Sequence, residues 1–217
     1  MDLSKFNRGG GETDFEPAPA GVHSAVCVSV IDLGTQETAW EGKTRLTPQV
    51  MLRWEIDERM TDGKRFLVSR RYTKSMHEKA GLRRALEAWR GKPFVDADFK
   101  PGGFEMSKLL GAGCQLQIVH AEKDGKTFAN IASIMKLGKG MTPLTAEIEP
   151  FMLELDPETF DREAYEGLSE RMKEIIAKAP EFQSCVRPYK NGATAKPAPA
   201  AEKEVVHTDD FEDEIPF

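Results

Sequence analysis

The sequence predicts an all-β domain with one main helix, followed by a partly helical extension and a tail without regular structure. Three observations carry this. Apolar residues alternate with period two in three successive segments, the period then switches to 3.6 for one stretch, and two more alternating segments flank a turn signal.

Residues 1–20, with Gly9-Gly10-Gly11 and Glu16-Pro17-Ala18-Pro19-Ala20, read as a flexible N-terminal arm. Val22 to Leu33 is the first strand; its alternation is weakly polarised, as for a strand with both faces partly covered. Gly34 to Thr44 reads as a polar connection containing Trp40. Leu46 to Asp57 is the second strand, with Val50, Leu52, Trp54 and Ile56 on one face and Met51, Arg53 and Glu55 on the other. Asp62-Gly63 signals a hairpin turn, and Lys64 to Thr73 is the third strand. Met76 to Arg90 then reads as a helix. Ser75 and Glu78 suggest a capping box, Leu82, Leu86 and Trp89 form its apolar stripe, and Gly91 with Pro93 ends it. Phe104 to Leu110 suggests a short second helix, and Ala112–Glu122 with Lys126–Leu137 forms a hairpin around Asp124-Gly125.

The order β-β-β-α-β-β is that of an OB-fold, a five-stranded Greek-key barrel with its helix between strands three and four, here over residues 21–140. Another small barrel or an α+β sheet could use the same elements. Residues 141–189 are an acidic, partly helical extension, in which Leu168, Met172, Ile175 and Ile176 mark an amphipathic helix ending near Pro180. Residues 190–208, rich in Gly, Ala and Pro, read as a disordered linker leading to an acidic tip at 209–217.

Charge is distributed unevenly. The net of −6 conceals +8 over residues 40–140, where 20 basic groups face 12 acidic ones, between acidic segments on either side. A basic body with negative arms suits a polyanion ligand. Single-stranded DNA needs cations for phosphates and flat rings for unstacked bases. The second and third strands and the loop before them offer Trp40, Lys43, Arg45, Arg53, Trp54, Lys64, Phe66, Arg70, Arg71 and Tyr72; the last hairpin adds Lys126 and Phe128. Trp54 shares a face with Val50, Leu52 and Ile56, and Phe66 lies on a mixed face, so core and base-stacking readings both stand for these two. Arg70 and Arg71 point to opposite faces of a strand, so at most one faces a groove directly.

Catalytic constellations are missing from the pattern. Gly42-Lys43-Thr44 lacks the glycine that a phosphate-binding loop requires at position 37, which is Glu. His23, His77, His120 and His207 are scattered, and Cys27, Cys114 and Cys185 form no C-x-x-C pair. A non-enzyme without cofactor or metal is expected. No apolar run reaches the ~20 residues of a membrane span and no secretory h-region opens the chain, so the cytoplasm is the expected compartment.

The end of the chain carries the sharpest signal. Asp209, Asp210, Phe211, Glu212, Asp213 and Glu214 run into Ile215, Pro216 and Phe217. An apolar ring beside a terminal carboxylate, preceded by acids, suits a partner pocket with a basic rim. This ending resembles the acidic tip of bacterial and phage single-stranded DNA-binding proteins, which close on Asp-Asp-(x)-Ile-Pro-Phe. Residues 15–140 also resemble a group of phage-encoded single-stranded DNA-binding proteins. The resemblance rests on Asp14-Phe15-Glu16-Pro17, Ile31-Asp32-Leu33-Gly34-Thr35-Gln36, Ser69-Arg70-Arg71-Tyr72-Thr73, His77-Glu78-Lys79-Ala80, Trp89-Arg90-Gly91-Lys92-Pro93-Phe94 and the stretch from Phe128 to Ser133. It implies an OB-like factor of DNA replication, recombination or repair in the host cytoplasm. Such a factor binds single-stranded DNA without sequence preference and recruits partner enzymes through its tip. A homo-oligomer is compatible with it. The alternative is an adaptor that engages tail-reading enzymes without binding DNA itself.

Overall fold

Residues 16–40, 43–123 and 125–186 are described by the computed structural model of the chain. Five strands form one antiparallel sheet in the order β3-β2-β1-β4-β5: β1 (Gly21–Trp40), β2 (Lys43–Arg59), β3 (Arg65–Thr73), β4 (Gly113–Lys123) and β5 (Lys126–Lys136). A short sixth strand, β6 (Phe151–Leu153), pairs with β1 in parallel. Helix α1 (Gly81–Arg90) lies between β3 and β4; α2 (Arg162–Glu166), α3 (Glu170–Ala177) and α4 (Pro180–Val186) follow β6. The architecture is thus mostly antiparallel β with few helices. No helix among the described residues is long and apolar enough to cross a membrane.

The first strand is longer than its apolar pattern. Residues 21–26 pair with β4, while the ladder with β2 runs from Ala25 to Trp40. Register shifts between Cys27 and Ser29 and between Asp32 and Gly34 mark bulges, which bend a strand so that it can serve two partners. The expected connection from Gly34 to Thr44 is therefore a hairpin arm extending past the core. Its strands satisfy each other's backbone; Thr35 and Gln36 at its base turn to the extension, while Glu37, Lys43, Thr44 and Arg45 face water, so it carries no apolar period.

The helix also differs at its start. Ser75 Oγ accepts from the His77 N–H at 3.3 Å in a local turn, and the helical ladder begins only with the Arg84 N–H donating to Ala80 O at 3.1 Å. A hydroxyl that bonds two residues ahead is a turn former, and the expected capping box gives way to an uncapped start at Ala80. The stop is as expected: Gly91 is left-handed at φ +70° and donates to Glu87 O. Leu82, Leu86 and Trp89 face the sheet, and Trp89 Nε1 donates to Gly113 O at 3.0 Å. The helix expected over 104–110 is a single 3-10 turn, Met106–Leu109.

Two apolar layers cover the two faces of the sheet. The inner one joins Val50, Leu52, Trp54 and Ile56 of β2 to α1 and to Leu116, Ile118, Ile131 and Ile134 of β4 and β5. The outer one sets Ile31, Leu33 and Met51 against Leu153, Leu155, Leu168, Ile176 and Phe182 of the extension. The extension is pinned at two points. The carboxylate of Glu55, 1% exposed, accepts from the backbone N–H groups of Glu147 and Ile148 at 2.7 and 2.9 Å, with Arg65 at 3.6 Å. At the second, Glu181 accepts from the Thr35 hydroxyl at 2.6 Å and the Thr35 N–H at 3.0 Å, and Gln36 Nε2 donates to Ile175 O at 3.0 Å. Burial pushes the Glu181 carboxyl up, but the two Thr35 bonds outweigh it and hold its pKa below the usual range.

Sheet closure stops short. β3 and β5 form no ladder among the described residues, and one side chain spans the gap: Arg70 Nη1 donates to Ile131 O at 2.8 Å and Ala132 O at 3.2 Å.

Candidate nucleic-acid interface

Strand parity sorts the expected DNA contacts into two sets. Trp54, Phe66 and Tyr72 point inward and are 0%, 5% and 3% exposed, so of the two readings open for Trp54 and Phe66 the core one holds, and the stacking role expected of Tyr72 is corrected to a core role. Trp54 packs against Trp89 with ring centroids 5.9 Å apart. The reason is the alternation itself: Val50↔Tyr72 and Trp54↔Val68 are facing pairs on the same inner side. Arg70 belongs to this side as well. Its guanidinium lies over the Tyr72 ring at 5.2 Å and holds the β5 carbonyls, so it is a structural bridge and not a groove contact.

The other set lies on the outer face. Lys43, Arg45 and Arg53 recur at even spacing along β2, with the first two exposed and Arg53 half-buried. Arg71 of β3 faces Met51, and Ser69 faces Arg53, which puts Arg71 on the same side. Burial lowers the Arg53 pKa; for Arg71, partial burial first and then the charge of Arg171 act in the same direction. Both remain cations at neutral pH. The β4–β5 hairpin presents Lys126 and Phe128, both exposed, on one side of β5. Lys64 sits on the β2–β3 turn, 3.2 Å from Asp62 and largely exposed, away from the face. Trp40 closes β1 opposite Lys43 in register, and the base platform expected of its ring falls outside the described residues. The acidic tip, Asp209 to Phe217, and the linker before it also lie outside them.

Part of this face is not free. The extension covers β1 and the Met51 and Glu55 positions of β2. What stays open is β3, where Ser69, Arg71 and Thr73 are exposed, and the rim formed by Arg53.

Burial pushes the Cys27 thiol up to about 12 and raises Cys114 as well, so neither is a thiolate nucleophile at neutral pH. Among the described residues no cluster of His, Cys, Asp or Glu is placed to hold a metal ion.

Adjacent arginines give a clean contrast. Arg70→Ala is expected to cost about 2 kcal/mol of stability through its two lost charge-assisted bonds, seen in a urea melt. Arg71→Ala, which breaks no such bond, is expected to stay within about 0.5 kcal/mol of the unmodified protein in the same melt. A larger loss for Arg71→Ala than for Arg70→Ala would reverse the roles of the two side chains.

No family model matches this sequence, and no curated protein matches it either.

Proposed function

We propose that this chain binds single-stranded DNA without sequence preference on the outer face of an OB-like barrel, and recruits enzymes of replication, recombination or repair through its acidic tip. The observation that carries the reading is the grouping of Lys43, Arg45, Arg53 and Arg71 on one face, flanked by two long hairpins. The strand 2–3 face and the loops joining strands one to two and four to five are the ligand-binding parts of OB-folds. The element order, and the approach of β3 to β5 across the Arg70 bridge, support an OB-like barrel. On this reading the protein works in the cytoplasm and needs no cofactor.

A titration of fluorescent oligo(dT) tests it. Binding is expected to be sequence-tolerant and to weaken steeply with salt. Absence of any binding at low salt would sink the proposal. Because the tip and the basic face carry opposite charge on one chain, removing residues 209–217 is expected to tighten binding several-fold at low salt; unchanged affinity would show that the two ends do not compete.

The adaptor reading has its own support. With Trp54, Phe66 and Tyr72 in the core, few rings remain to stack bases. A mostly apolar pocket of about 320 Å³, where Val50, Met76, Leu82 and Phe104 meet the charged Lys74 and Asp98, is suited to an apolar side chain of a protein partner. An adaptor would bind tail-reading enzymes but not oligo(dT), and would lose all binding on deletion of Ile215–Phe217.

A further inference from the structure

The pocket beside α1 has a fitting occupant within this chain. Val50, Leu82 and Phe104 line it together with three methionines, Met76, Met106 and Met152, whose thioether side chains adapt to the shape they cover. Its volume of about 320 Å³ falls within the roughly 300–1,000 Å³ of ligand sites. Phe99 lines it too and is 49% exposed, which puts an uncovered ring at the mouth.

Most charges around the pocket are already engaged. Lys74 holds Asp32 at 2.6 Å, Arg90 holds Asp98 at 3.0 Å, and Glu154 accepts from the Thr159 hydroxyl at 3.4 Å. Lys100 is the exception: it lines the pocket, is exposed, and its ammonium has no acceptor among the described residues. The wall that carries it, residues 74–108, has eight basic and five acidic groups, a net of +3. An apolar pocket in a basic wall with a free ammonium takes apolar side chains that adjoin carboxylates. Ile215, Pro216 and Phe217 have that chemistry, since they follow directly on Asp213 and Glu214.

The described chain leads towards the pocket. Glu181 of α4 accepts from the N–H and hydroxyl of Thr35, and Asp32 of the pocket lies three residues back along β1. Val186 at the end of α4 is therefore within about 25 Å of it. A chain as long as residues 187–214 spans roughly 30 Å root-mean-square. A linked segment reaches an effective concentration on the order of millimolar, so a pocket with a Kd of about 1 mM is about half filled.

We infer that this pocket docks Ile215-Pro216-Phe217 of the same chain, with Lys100 facing the carboxylates of Asp213 and Glu214. This rests on the reading of the tip as a docking segment and needs no DNA binding. While docked, the tip is withheld from the enzymes it recruits.

The test compares the full chain with one ending at Glu214, both carrying carbon-13 at the methionine methyl groups and read by NMR. On the deletion the Met76, Met106 and Met152 signals are expected to shift, while Met51 and Met172 of the outer cluster stay in place. A synthetic peptide of residues 209–217 added to the shortened chain is expected to restore the shifts. It should bind several-fold more weakly to Lys100→Glu, a change to an exposed side chain; equal binding would overturn the role of Lys100. Unmoved pocket methyls, or equal shifts at Met51 and Met172, would overturn the site. Shifts that fade on dilution through the micromolar range would put the tip of a second copy in the pocket and overturn docking within one chain. The oligo(dT) titration is read separately. Pocket shifts without DNA binding keep this inference and overturn the DNA reading, and DNA binding with unmoved methyls does the reverse.

Discussion

Replacing Glu55 by alanine is expected to lower stability by about 3–5 kcal/mol, the usual cost of removing one partner from a buried, hydrogen-bonded charge network. Three groups lose their acceptor at once: the N–H of Glu147, the N–H of Ile148 and the guanidinium of Arg65. Arg65 keeps Glu147 at 3.3 Å and the Thr145 carbonyl at 2.6 Å, so it is not stranded. The two amides lose a charged acceptor, which costs about 1–3 kcal/mol, and the exposed Glu147 and Ile148 lose their anchor to β2. For a domain of this size the loss corresponds to a fall in Tm of roughly 10 °C. Thermal unfolding checks the total, and hydrogen exchange at residues 147 and 148 checks the place. Glu55→Gln should fall between, since the amide keeps one acceptor oxygen and turns a donor towards the second N–H. A melt within 1 °C of the unmodified protein would show that the extension is held without this carboxylate.

How much of this was legible in the sequence depends on what each residue is packed against. Val50, Leu52, Trp54 and Ile56 alternate because one side of β2 is covered by α1 and the far strands, and that pattern is local. Leu82, Leu86 and Trp89 are legible for the same reason. Arg70 defeats the pattern: an arginine on an inward face reads as an outward one, and its acceptors are carbonyls of residues 131 and 132, which no local window contains. Met51 and Ile31 alternate with the inner set and so suggest a partly covered outer face, but nothing nearby says that the cover is a helix some 120 residues later. The site was legible as a basic segment and not as a surface. Charge counting finds Lys43, Arg45, Arg53 and Arg71.

Gly34 carries the clearest case of a residue whose role depends on tertiary packing, and its replacement by alanine is expected to loosen the helices of the extension. In sequence Gly34-Thr35-Gln36 reads as the start of a polar connection. In the fold Gly34 has φ +66°, where an L-residue is strained by roughly 1–2 kcal/mol. An added Cβ would also stand 2.4 Å from Ala179 Cβ, 2.8 Å from Glu181 Oε2 and 3.0 Å from Leu155 Cδ1. Two of these neighbours are packed side chains with little room to yield, and the third is the carboxylate that Thr35 holds. Strain and overlap together should cost about 3 kcal/mol or more. The inner core does not contain these residues, so the loss should fall first on α3 and α4. Hydrogen exchange in residues 168–186 is expected to rise while β4 and β5 stay protected. If both speed up together, the extension and the sheet unfold as one unit.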